Sequence, residues 1–235
     1  MKKELLIFGA NGALGKGITK TMLNKDYDKI YLFDFEMEKQ TLERMEKIEK
    51  ISTGDLSIEK NVKDVIEAIK PSNETLFFLY STVGGFAGGK TIQDTEEQEW
   101  DRMMNINLKS NFFIAKHFSR LVEKSGGGSI CFTAAETGIS PEKEKASYGT
   151  SKSGLIHLVK TLALEGKSIK LSANAIAPFI IDTPANREWM HSTDYSEWVK
   201  TEEIGDLAYS IFNHFYFISG NIIRLYIRFN FLNTL

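Results

Sequence analysis

The stretch Leu5-Leu-Ile-Phe8-Gly9-Ala-Asn-Gly12-Ala-Leu-Gly15 decides the fold. An apolar run of strand length, residues 5–8, meets three glycines, and a helix-period segment over residues 14–24 follows at once. Glycines at a strand-to-helix turn allow a tight bend, close approach of the backbone to a pyrophosphate, and helix–strand packing. The helix start adds free N–H groups and a dipole favourable to phosphate. A glycine trio alone is a weak signal, because loops collect glycine for backbone reasons. Asp34 strengthens it by closing the next apolar run, residues 29–33, 19 residues after Gly15. A carboxylate there accepts hydrogen bonds from the adenosine ribose hydroxyls of NAD and repels the extra phosphate of NADP. NAD(H) is therefore the favoured cofactor, with NADP(H) as the lesser alternative.

Outward from this turn, short apolar runs alternate with helix-period segments. Strands are expected at residues 51–53, 75–80, 129–133 and 171–176, and helices at 57–69, 96–122 (interrupted near Asn107) and 148–165. Residues 37–50 form a charged amphipathic stretch, and Pro178 is expected to end the strand before it. The alternation implies crossover connections: an α/β fold, a doubly wound parallel sheet of Rossmann type, in three layers. With no composition break or linker, residues 1–235 are expected to form a single domain. Residues 184–201, rich in Trp, Met and Tyr, are expected to act as a substrate lid. There Trp189, Met190, Tyr195 and Trp198 would shape the pocket. Residues 219–235 are expected to supply a final strand and a tail.

The composition excludes several function classes. Hydrophobic residues are 42%, charged residues 26% and the net charge is -2, so no basic stripe points to nucleic acid. The apolar run after Lys2 and Lys3 is too short for a signal peptide, and no stretch is long enough for a bilayer span. One cysteine, Cys131, agrees with a reducing compartment, and a cytoplasmic location is expected. His117, His157, His191 and His214 lack ligand spacing, so no metal site is expected.

Two further loops follow strands where ligands of open α/β sheets bind. Gly54-Asp55-Leu56 follows the short third strand; Asp55 would contact the adenine or cap the next helix. Ser81-Thr82-Val-Gly84-Gly85-Phe86-Ala-Gly-Gly89 follows the fourth, and its glycines would let backbone run beside a cofactor. Finally, Tyr148-Gly-Thr-Ser-Lys152 sets a phenol and an ammonium four apart on one helix face. A phenol of ordinary pKa about 10 is a poor base at neutral pH, and a neighbouring cation stabilises its phenolate. Such a pair can exchange a proton with a carbonyl or imine while hydride moves to or from a nicotinamide.

In this order and spacing the chain resembles the short-chain dehydrogenase/reductase family over nearly its whole length. The resemblance rests on Gly9–Gly15, Asp34, Asp55, the Gly84 loop, Asn107, Tyr148 with Lys152, and Pro178-Phe-Ile-Ile181-Asp-Thr183-Pro184. It implies an oxidoreductase acting on a small molecule, with Tyr148 as acid/base and Lys152 as ribose ligand and pKa depressor. Asn107 would hold a water linking Lys152 to solvent. The implied cofactor contacts are Gly9, Asn11, Gly12, Ala13, Leu14, Gly15, Asp34, Asp55, Leu56, Thr82, Gly84, Gly85, Tyr148, Lys152, Pro178, Ile181 and Thr183. It also implies a homodimer or homotetramer packed through the helices around residues 107–122 and 151–165.

The departures from the family pattern narrow the chemistry. The family's catalytic Ser stands 13 residues before the Tyr, and here that position is Ala135. Alanine cannot donate a hydrogen bond to a substrate oxygen, so one polarising group is missing. Thr133, on the same strand face, is expected to be ordinary strand filler. The glycine loop, Ala135 and Asp182-Thr-Pro-Ala-Asn186-Arg187 resemble the quinonoid dihydropteridine reductase branch, whose electron-poor substrate ring needs little polarisation. Phe86, Ala135 and Trp189 are the expected substrate contacts. The competing reading, motivated by Ala135, is a non-catalytic NAD-binding sensor or interaction protein.

Overall fold

A computed structural model describes residues 1–37, 47–190 and 194–227. The strands are β1 (Lys2–Phe8), β2 (Lys29–Asp34), β3 (Ile48–Ser52), β4 (Thr75–Ser81), β5 (Gly128–Thr133), β6 (Leu171–Pro178) and β7 (Ile222–Leu225). The helices are α1 (Ala13–Met22), α2 (Glu59–Glu67), α3 (Glu97–Met103), α4 (Ser110–Glu123), α5 (Ala146–Glu165), α6 (Pro184–Trp189) and α7 (Thr201–Asn213). All strands pair in parallel, in the order β3-β2-β1-β4-β5-β6-β7. The chain winds outward from β1 to β3, then returns to β1's other side at β4. That reversal opens a crevice at the carboxyl ends of β1 and β4, where Gly9 and Thr82 lie.

Both faces of the sheet are covered, which explains why its strands carry apolar residues in unbroken runs. Leu6, Phe8, Phe77, Leu79, Ile130 and Phe132 face one layer, against α2, α4 and α5. Leu5, Ile7, Phe78, Tyr80 and Cys131 face the other, against α1 and α7. Each such large side chain contributes about 2 kcal/mol when buried, and Phe8 stacks on Phe33 with centroids 4.4 Å apart. No described helix is long and apolar enough to cross a membrane.

Three boundaries differ from the sequence expectation. The third strand begins at Ile48, because Ile48 and Ile51 pair with Ile30 and Phe33 of β2. The amphipathic stretch 37–50 is thus cut short at its end, and its residues 38–46 lie outside the described residues. The strand expected at residues 171–176 runs two residues further, and Pro178 ends it as expected, opposite Leu225 of edge strand β7. Residues 201–213, to which the sequence reading assigns no element, form α7 with Ile204, Ala208, Ile211 and Phe212 buried. The expected tail beyond residue 227, and His191, also lie outside the described residues.

Candidate active site

Two adjoining clefts occupy the carboxyl edge of the sheet and share Thr82 and Gly84. The larger, about 660 Å³, is lined by Gly9, Gly12, Ala13, Leu14, Gly15, Asp34, Asp55, Leu56 and Thr183 among the expected contacts. The smaller, about 480 Å³, is lined by Gly85, Phe86, Ala135, Tyr148, Lys152, Pro178, Ile181 and Trp189.

The first cleft has the chemistry of a dinucleotide cradle. A Cβ on Gly15 would lie 2.0 Å from the Gly9 carbonyl oxygen, so this turn closes only around glycine. Gly12 stands at the N-cap of α1 with no side-chain cap, and the first turn of α1 lines the cleft. The Asp34 carboxylate accepts the N–H of Asn11 (2.8 Å) and of Phe35 (2.8 Å), one on each oxygen. Each oxygen keeps a further lone pair for a ribose hydroxyl. Asn11 itself does not line the cleft; its amide donates to the Glu36 carbonyl (2.6 Å) and so braces the turn against the end of β2. Asp55 accepts the Ser57 N–H (2.8 Å), the capping role, and also lines the cleft. Thr183 caps α6 by accepting the Asn186 N–H at 3.3 Å.

At the second cleft, α5 carries Tyr148 and Lys152. The Lys152 ammonium is buried, donates to the Thr133 carbonyl (2.8 Å) and lies 6.0 Å from the Tyr148 ring centroid. Burial lowers its pKa to about 8. The half-buried Tyr148 has its pKa pushed up, by burial first and then by the Glu142 carboxylate. Among the described residues its hydroxyl has no hydrogen-bond partner. The phenol is therefore protonated at neutral pH and equipped to donate.

Asn107 stands behind both clefts. The helical segment from α3 to α4 widens into a π-turn over Met104–Lys109, the physical form of the interruption expected near this residue. The turn aims the buried Asn107 amide at the glycine loop: its oxygen accepts the Gly85 N–H (2.9 Å) and its nitrogen donates to the Gly85 carbonyl (3.0 Å) and to Ser151 Oγ (3.0 Å). Ser151 in turn donates to the Tyr148 carbonyl (2.7 Å). The side chain thus ties the loop to α5 rather than contacting Lys152. Asn111, one turn on, donates to the Val83 carbonyl (3.1 Å) and holds the same loop. A Cβ on Gly84 would come within 2.6 Å of Asn107 Oδ1 and 3.0 Å of Lys152 Nζ, so a larger residue there would push both side chains from their bonded positions.

Ala135 lines the second cleft and offers it no side-chain hydroxyl. The Thr133 hydroxyl donates to the Ser81 carbonyl (3.1 Å), within the sheet. Of the residues expected to shape the pocket, Trp189 and Met190 line it, whereas Tyr195 and Trp198 do not. Trp198 is buried and packs edge-to-face on Tyr195 at 4.8 Å. Glu142 and Lys145 line the pocket without having been expected to. They sit in Glu-Lys-Glu-Lys145, a charged run that looks like a solvated loop, and nothing in the sequence says which two turn inward.

A profile described as short chain dehydrogenase matches residues 3–194. The chain belongs to the short-chain dehydrogenase family. A dihydropteridine reductase from Dictyostelium discoideum is 27% identical over 208 residues, 88% of this chain and 86% of that protein. A dehydrogenase/reductase SDR family member 6 from Aquarana catesbeiana is 30% identical over 188 residues, 80% of this chain and 74% of that protein. The solved structure of ElxO with NADP bound superposes with a TM-score of 0.84 at 23% identity, covering 96% of this chain and 98% of that one. This member of the family is an oxidoreductase, and its first cleft fits the nicotinamide nucleotide such an enzyme uses.

Proposed function

We propose that the chain is an NADH-preferring reductase of a small electron-poor ring or carbonyl compound, with dihydropteridine reductase-like activity. The observation that carries this reading is the Tyr148–Lys152 pair beside the cradle, with the protonated Tyr148 hydroxyl free of other partners among the described residues. The turn from Gly9 to Gly15 would hold the pyrophosphate, Asp34 the adenosine ribose, and Thr183 the nicotinamide side. The nucleotide supplies the hydride. Tyr148 donates the proton to the reduced atom, and Lys152 holds a charge that stabilises the resulting phenolate. Phe86 and Trp189 give the pocket an apolar wall.

Asp34 supports NADH over NADPH, because its carboxylate would repel a ribose phosphate. Ala135 supports a substrate that accepts hydride without a polarising hydroxyl, and the Dictyostelium relative makes a quinonoid dihydropterin the first to try. The lone buried thiol of Cys131 supports a reducing compartment, the cytoplasm. Exposed Phe112 on α4 and Leu164 on α5 support a homodimer or homotetramer packed through those helices.

The test is NADH oxidation with quinonoid dihydrobiopterin beside a panel of ketones and quinones. Turnover of the pterin or a quinone, with NADH preferred over NADPH, is the expected result. Tight NADH binding without turnover of any of them would favour a non-catalytic sensor instead.

A further inference from the structure

We propose that Lys145 and Glu142 are a specificity pair that selects substrates carrying a hydrogen-bond acceptor beside a donor on one edge of a flat ring, a lactam or amidine edge. This rests on the reductase reading above and names the substrate class for the same pocket.

The pocket wall is an edge-to-face run of rings: Phe86 lies 5.0 Å from Tyr148 and 5.1 Å from Trp189. Rings in this arrangement offer flat apolar surface to a planar ligand. The Lys145 ammonium sits over both the Phe86 and Trp189 rings, 5.8 Å from each centroid, and so brings its charge to that apolar wall. It donates to Glu142 Oε2 at 2.6 Å, while Glu142 Oε1 accepts the Thr137 hydroxyl. Burial raises the Glu142 pKa, but the bonds from Lys145 and Thr137 outweigh it and keep the carboxylate ionised.

The two charges cancel, so the pair does not select an ion. The ammonium has three protons and the carboxylate about four acceptor sites, and the contacts above use one and two of them. What remains is donor and acceptor capacity side by side in the lining of the pocket. Apart from Lys152, held at the Thr133 carbonyl, these are the charged side chains lining this pocket among the described residues.

The loop carrying the pair is held in place. Lys145 bridges in parallel to Lys90, and the Gly89 N–H donates to the Glu144 carbonyl (2.9 Å), which ties the loop to the one bearing Phe86. Glu144 itself takes φ 62°, a conformation that non-glycine residues keep only when their surroundings hold it. The chain reverses there, between the two members of the pair.

The experiment compares wild type, Lys145→Met and Glu142→Met in the full-length protein. Each is assayed with NADH against quinonoid dihydrobiopterin, which carries such an edge, and against 1,4-benzoquinone, which has no donor. The ratio of the two kcat/KM values is expected to fall about tenfold in either variant, through KM for the pterin, with partial rescue in Lys145→Arg. A ratio unchanged from wild type in both variants would overturn the proposal. If wild type reduces neither compound, the reductase reading fails and binding decides. Calorimetry would then titrate 7,8-dihydrobiopterin into the NADH-loaded protein. A dissociation constant raised about tenfold by either substitution upholds the pair, whereas an equal constant or no binding to wild type overturns it. NADH affinity and melting temperature serve as the folding control.

Discussion

Lys152 is held charged in a place that resists charge. Burial brings its pKa to about 8, against an ordinary 10.5. Between those values the unfolded chain binds a proton that the folded chain has released, so this residue's contribution to stability rises as pH climbs from about 8 to 10.5. At neutral pH the ionised amine costs on the order of 3 kcal/mol, the equivalent of that difference, partly offset by its bond to the Thr133 carbonyl. Lys152→Met is therefore expected to melt at a higher temperature than wild type at pH 7, to lose that advantage above pH 10, and to lose turnover at every pH. Thermal melts across pH check the first two, and NADH oxidation the third. In wild type, kcat/KM for reduction is expected to fall as pH passes about 8, because the ammonium beside Tyr148 discharges. Ala135 makes a second prediction at this scale. Ala135→Ser restores a donor at the pocket wall and is expected to raise kcat/KM for simple ketones by about tenfold, with less effect on a quinonoid ring. Tyr148 and Lys152 were legible in the sequence because their spacing follows the helix repeat. Glu142 and Lys145 were not, because loop geometry rather than periodicity turns them inward.

Elements turn these residues into a site. The π-turn between α3 and α4 presents Asn107 and Asn111 to the loop after β4, and Gly84 leaves room for Asn107 Oδ1 and Lys152 Nζ. Gly84→Ala forces atoms apart at 2.6 Å and is expected to destabilise by about 1–3 kcal/mol and to lower kcat more than tenfold. Denaturant unfolding and steady-state kinetics would each show it. Edge strand β7 reaches the site as well: Arg224 grips the buried Glu136 with two bonds, and Ser140 donates to the same carboxylate at 2.9 Å. Glu136 adjoins Ala135, so the clasp braces the pocket wall. Arg224→Ala is expected to lower the melting temperature and raise substrate KM more than NADH KM, with Arg224→Lys intermediate. The strands were legible because burial on both faces demands unbroken apolar runs. The start of β3 was not, because its charged residues, Glu49 and Lys50, continue the charged pattern before it. The interruption at Asn107 was visible, but its π geometry comes from tertiary bonds to Gly85 and Ser151.

At the scale of the molecule, the strand order places the crevice between β1 and β4, so residues far apart in sequence meet at one sheet edge. Strand–helix alternation made that architecture legible, since parallel neighbours need crossover helices. The position of β7, and with it the Arg224 clasp, is set by packing beside β6 and carried no motif. The proposed assembly through α4 and α5 is checked by light scattering. Wild type is expected at two or four times the mass of the 235-residue chain, and Phe112→Glu with Leu164→Glu as a smaller species. The central claim, proton donation by Tyr148 during reduction, has a more direct test. NADH oxidation by wild type and Tyr148→Phe should be compared with quinonoid dihydrobiopterin at matched NADH occupancy. Turnover reduced about 10²- to 10⁴-fold with unchanged NADH affinity is the predicted result; equal turnover by the two proteins would contradict it.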